Sequence, residues 1–190
     1  MCIRDRLVAV PDNSNATRST VQAATRALIQ QPLVRVTYYG FDHYGEDWDH
    51  GEYHDATMGV ELTTASGHVV ACWGDAFGHF GLEVHEQSPS ELFGNDPVQR
   101  DFTSHPWWAP FREGVSEASL DWRSGYVDSG ETAPVALRLT SRSGDRIWVA
   151  NAEPFEGTSH MTLGGLLLGS DNVIVTASGA FATRIGLTDA

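Results

Sequence analysis

The residues best suited to chemistry gather in one stretch, Phe41-Asp42-His43-Tyr44-Gly45-Glu46-Asp47-Trp48-Asp49-His50-Gly51-Glu52-Tyr53-His54-Asp55, with six acids, three histidines and no Lys or Arg. Carboxylates this dense repel one another, so a cation held among them offsets a folding cost. Imidazole and carboxylate together suit zinc or manganese, and the nearest donor set is His50, His54 and Asp55, with Asp47 as the alternative carboxylate. His50-x-x-x-His54 makes a site on a helix, and Gly45 and Gly51 argue against a helix here. Calcium prefers the oxygens of Asp47, Asp49 and Glu52, yet their spacing is not that of an EF-hand. In a second reading Asp42, Glu46, Asp47, Asp49, Glu52 and Asp55 steer a basic protein partner, and Tyr44, Trp48 and Tyr53 supply aromatic contacts. The third is a solvated acidic loop with no ligand.

Other candidates carry less. Trp107 and Trp108, between Pro106 and Pro110, can anchor a partner or stack on a sugar, or pack over a sheet edge. The sugar reading makes the chain a carbohydrate-binding β-sandwich. Glu61 and Glu83 are a conceivable acid and base pair, but Glu61 equally fits the solvent side of an amphipathic strand. Cys2 and Cys72 form no disulfide framework or zinc pattern, and Cys72, between Ala71 and Trp73, reads as a small buried hydrophobe. The sequence contains no Gly-x-Ser-x-Gly elbow and no phosphate-binding loop.

These residues need a scaffold, and the clearest one is a hairpin from Met58 to Gly74. Met58, Val60 and Leu62 alternate with Gly59, Glu61 and Thr63, the period of a half-buried strand. Ser66-Gly67 turns the chain, and Val69 to Trp73 returns. At an offset of 77 the unit recurs between residues 135 and 151, with Gly67 on Gly144 and Val70-Ala71-Cys72 on Ile147-Trp148-Val149. Trp73, Trp122 and Trp148 fall in strand patterns and read as core. A helix is expected over about 20–30, capped by Ser19 or Thr20 and ended by Pro32. Leu33 to Tyr39 is a strand rich in β-branched and aromatic residues. Ser88-Pro89-Ser90-Glu91 opens a second short helix with a capping box. Val173 to Ala177 and Ala180 to Ile185, around Ser178-Gly179, read as a third hairpin.

The expected fold is therefore mainly β (β-rich α+β): an antiparallel sandwich or partly open barrel built from repeated hairpins, with about two short accessory helices. A single domain spans 12–190. Residues 1–11 stand apart as a non-native or disordered segment, since Met1 to Arg6 fits no element and Leu7 to Val10 is too short for a signal-peptide core. No apolar run reaches membrane-spanning length. With 25 acids against 12 bases, all of them Arg, the net charge of -13 repels nucleic acid phosphates and anionic membranes. The charge instead favours a basic partner, and a cytoplasmic location follows from the missing leader.

Tyr38-Tyr39-Gly40-Phe41-Asp42, Gly59-Val60-Glu61-Leu62, Trp73-Gly74, Phe80-Gly81-Leu82, the Trp107-Trp108 loop and Asp171-Asn172-Val173-Ile174-Val175 together resemble the layout of small uncharacterised bacterial β-rich domains, some of them similar to toxin-immunity proteins. The resemblance spans about residues 20–187 and implies stoichiometric binding without catalysis. It carries over no catalytic residue, and the His-rich acidic loop departs from it. The first reading of function is thus a non-enzymatic, immunity-like protein that engages a basic partner through the loop at 42–55 and needs no cofactor. The second is a divalent-metal protein or metal-dependent enzyme built on the same His and Asp residues.

Overall fold

The computed structural model of the chain describes residues 16–41, 48–77, 81–94, 97–124, 132–154, 162–163 and 166–187. Two antiparallel sheets pack face to face, as the hairpin pattern predicts. The first runs β5 (Gly81–His85), β4 (His68–Gly74), β3 (Gly59–Thr64), β1 (Leu33–Gly40), β6 (Val98–Asp101) across its width. The second runs β10 (Thr162–Leu163), β11 (Leu166–Thr176), β9 (Arg146–Pro154), β8 (Thr132–Ser141), β7 (Val115–Ser124), and β2 (His54–Asp55) pairs with β11. Both sheets end in edge strands, so the architecture is a sandwich and not a closed barrel.

Alternation along the strands builds the core. Val36 and Tyr38 of β1, Val60 and Leu62 of β3, and Val69, Ala71 and Trp73 of β4 turn inward to share one cluster with Leu137, Leu139, Ile147, Val149, Val173 and Val175 of the second sheet. Helix α1 (Arg18–Ala27) adds Val21 and Ala24 to that cluster, as does Leu28 at its C-cap. Its start is Thr17, not Ser19 or Thr20. Thr17 Oγ1 accepts the Thr20 N–H at 3.2 Å while Thr20 Oγ1 accepts the Thr17 N–H at 2.8 Å, a reciprocal pair that satisfies two end donors where a lone cap satisfies one. Helix α2 (Pro89–Phe93) begins as its sequence predicts, with the Glu91 carboxylate accepting the Ser88 N–H at 2.8 Å.

Two expectations need correction. The third hairpin is half a hairpin, because after β11 the chain forms helix α3 (Gly179–Arg184). Ser178 Oγ accepts the Phe181 N–H at 3.1 Å, so the Ser-Gly pair caps a helix and does not turn a strand. Phe181, Ala182 and Ile185 then share one helical face and pack on Trp148, Ala150 and Ile174. The described residues thus hold three short α-helices and a 3-10 turn at Ala109–Glu113, beside the about two short helices expected.

The repeated hairpin also slips by one residue. Leu62 faces Val69 across the first turn, whereas Leu139 faces Ile147 across a turn one residue longer. Ile147-Trp148-Val149 is therefore equivalent to Val69-Val70-Ala71, not to the triplet one position on. A one-residue slip exchanges the faces of a strand. Trp73 accordingly lies in the inter-sheet core and Trp148 on the outer face under α3.

Candidate metal centre

The chain between β1 and β3 leaves the first sheet to reach the second. Asp49 and His54 face each other in an antiparallel bridge, flanked by hydrogen bonds from the His50 N–H to Tyr53 O and from the Asp55 N–H to Trp48 O, both 2.9 Å. A pair flanked in this way is the close-spaced kind, with its two side chains adjacent on one face. The turn is held by Gly51 at φ +80°, whose N–H reaches Asp49 Oδ1 at 2.7 Å. Beyond it, Asp55 and His54 pair with Ile174 and Val175 of β11.

From the other side comes the loop after β6. The Phe102 N–H donates to Val36 O at 2.9 Å and Thr103 Oγ1 accepts the Val36 N–H at 2.9 Å, so this loop is pinned to β1. It delivers Phe102, His105, Trp107 and Trp108. Trp107 stacks on His54 with centroids 3.9 Å apart and planes at 11°, and His105 meets His54 edge-on at 4.5 Å. Beneath them Tyr38 stacks on Phe102 at 3.9 Å. The Tyr38 hydroxyl accepts the indole N–H of Trp108 at 2.9 Å and lies 3.2 Å from His54 Nδ1.

At the centre of this aromatic box His54 is fully buried, and its Nε2 has no hydrogen-bond partner among the described residues. That atom lies 3.9 Å from Asp49 Oδ1, and one donor atom from each of Asp49, His54 and His105 lies within 4.8 Å of the others. Burial and the neighbouring His105 push the His54 pKa down to about 4, despite the pull of Asp49 in the other direction, so the ring is neutral at pH 7. Burial also depresses His105. Neutral imidazole is the form that binds metal. Zinc bonds of about 2.0–2.1 Å put tetrahedral donors about 3.4 Å apart, so the three groups must close by up to about 1.4 Å. Asp49, whose side chain is 63% exposed, has the room to adjust, at the cost of its 2.7 Å bond from the Gly51 N–H.

Of the donor set read from sequence, His54 lies in the cluster with Asp49 and His105, and His50 and Asp55 lie outside it. Asp55 follows His54 in β2 and so points to the opposite face, where its carboxylate accepts the Thr57 N–H at 2.9 Å and hydroxyl at 3.0 Å. His50 stacks on Tyr53 at 4.8 Å, and Tyr53 in turn stacks on Phe181 of α3 at 5.3 Å. Glu52 is paired with Arg184 at 2.6 Å. Asp42, Tyr44, Glu46 and Asp47 lie outside the described residues. Trp48 and Trp108 are buried, Trp48 so close over Gly40 that a Cβ there would meet its ring at 2.8 Å. Trp107 is half-buried against His54 and not beside a free Trp108.

Glu61 and Glu83 do not pair. Glu61 accepts the Tyr39 O–H at 2.8 Å, and Glu83, two strands away, accepts His85 Nε2–H at 2.8 Å. Cys72 is fully buried, its thiol pKa raised by burial.

His105 is the donor that sequence reasoning missed. It sits between Ser104 and Pro106 with no carboxylate or second histidine beside it, and only the fold of β6 onto β1 brings it to His54. Comparison with protein-family models, curated proteins and solved structures finds no match to this chain. The resemblance to immunity-like domains stays an expectation, and what defines the molecule is a two-sheet sandwich with a His-His-Asp cluster at one open edge.

Proposed function

We propose that the protein binds a divalent transition ion of the zinc class through His54, His105 and Asp49. The observation that carries this reading is the fully buried His54 Nε2, which lacks a hydrogen-bond partner among the described residues and faces an exposed carboxylate with a second imidazole beside it. A buried polar atom without a partner costs about 1–3 kcal/mol, and an ion turns that cost into a bond. Two imidazoles and one carboxylate match zinc and its neighbours better than calcium or magnesium, which favour all-oxygen sets. Three protein donors leave one tetrahedral position for water or another ligand. The alternative reading, a basic partner held by the acidic aromatic loop at 42–55, loses one of its aromatic contacts to the burial of Trp48.

The test is a calorimetric titration of chelator-treated protein with zinc chloride. One ion per chain is expected, with His54→Ala and His105→Ala each weakening binding by about a hundredfold or more. His50→Ala and Asp55→Asn should leave it unchanged, which separates this donor set from the one read in the sequence. Zinc at about 100 times its Kd should also add about 2.7 kcal/mol of stability. No heat and no thermal shift, or a dependence on His50, would overturn the proposal.

A further inference from the structure

We infer that Tyr38 is a positioning residue that weakens metal binding, by holding the proton of His54 on the nitrogen an ion needs; this rests on the metal reading above. An indole N–H only donates, so the 2.9 Å contact from Trp108 makes the Tyr38 oxygen an acceptor there. Tyr38 is fully buried, and among the described residues Trp108 and His54 are the hydrogen-bond partners of its hydroxyl.

The 3.2 Å contact with His54 Nδ1 admits two arrangements. In one, Tyr38 donates to Nδ1 and the imidazole proton sits on Nε2, facing Asp49 Oδ1 at 3.9 Å. In the other, Nδ1–H donates to Tyr38, whose oxygen then accepts twice while its own proton has no acceptor among the described residues. The Asp49 carboxylate decides between them, because it attracts an Nε2–H and nothing rewards the orphaned hydroxyl.

An ion on Nε2 requires the second arrangement. The imidazole proton must move to Nδ1, so Tyr38 must give up its acceptor each time metal enters. This inverts the usual outer-shell partner of a ligating histidine, which accepts from the ring and strengthens binding. Phe at position 38 keeps the stack on Phe102 and has no hydroxyl to orphan. Nδ1 then lacks a partner with or without the ion, and that cost cancels.

Tyr38→Phe is therefore expected to bind zinc about tenfold more tightly than the wild type, equivalent to about 1.4 kcal/mol. Unchanged or weaker binding overturns the inference. Nitrogen-15 NMR of the imidazole in the metal-free wild-type protein tests it without any variant. His54 should show a protonated Nε2 and a bare Nδ1, and the two should exchange roles when zinc chloride is added. A protonated Nδ1 in the metal-free protein also overturns it. Should the wild type bind no zinc, the metal reading fails and takes the affinity claim with it, while the ring nitrogens still decide where Tyr38 places the proton.

Discussion

Trp108 and Trp148 carry the same indole into equally dry surroundings and differ in where the N–H goes. Trp108 donates to Tyr38, whereas Trp148 Nε1 has no hydrogen-bond partner among the described residues. Replacing each with Phe removes similar volume but only one hydrogen bond, so Trp108→Phe should cost about 1 kcal/mol more than Trp148→Phe in urea denaturation. Equal costs would mean that the Trp108–Tyr38 bond contributes nothing net. His54 sets a pH dependence of its own. Unfolded, it titrates at about 6.5, and folded at about 4. Between those values the unfolded chain binds more protons, so the stability of metal-free protein is complete above about pH 6.5 and falls as pH drops towards 4. Urea midpoints across that range should fall more steeply for the wild type than for His54→Phe, and parallel curves would contradict the buried neutral ring.

At the scale of elements, the small helices act as covers more than as walls. Helix α3 closes the outer face of the second sheet with Phe181, so Phe181→Ala should cost about 3–5 kcal/mol. Arg184→Ala removes an ion pair in which both partners are solvated, and should leave the melting temperature almost unchanged. A larger loss from Arg184 than from Phe181 would reverse this view of how α3 is held. The strands were legible in the sequence because alternation survives any tertiary context, and β1, β3 and β4 lie where Val36, Val60, Leu62 and Val69 put them. α3 was not legible, since Ala180 to Ile185 has too few residues to separate a helical from a strand period, and Ser-Gly serves both a turn and a cap. The one-residue slip between the hairpins was hidden for a similar reason. Aligning on the turn glycines assumes equal turns, and only strand register reveals the extra residue.

For the whole molecule the candidate site was half legible. His54 and Asp49 come from one short stretch whose composition announces itself, but the carboxylates read beside His54 were Asp55 and Asp47, and it took the bridge across the turn to put Asp49 there and the topology to add His105. Charge is the other property at this scale. A net charge of -13 on 190 residues repels itself, and raising ionic strength from about 0.01 to about 0.15 M shortens the screening length from about 30 to about 8 Å. The melting temperature should rise across that range, and a fall would show that attractive pairs outweigh the repulsion.

Strand β2 belongs by sequence to the first half of the chain and by hydrogen bonding to the second. The other described strands of the first sheet lie before Phe102, and those of the second begin at Val115. During synthesis the first sheet is thus complete while its inner face, with Val36, Val60 and Leu62, still waits for a cover, and β2 waits for the last strand to leave the ribosome. The pairing of His54 and Asp55 with Val175 and Ile174 therefore cannot form until β11 has been made. A nascent chain stalled at Gly114 would hold the Asp49, His54 and His105 side chains and still have no edge on which to assemble them, and should be recognised by chaperones as unfinished.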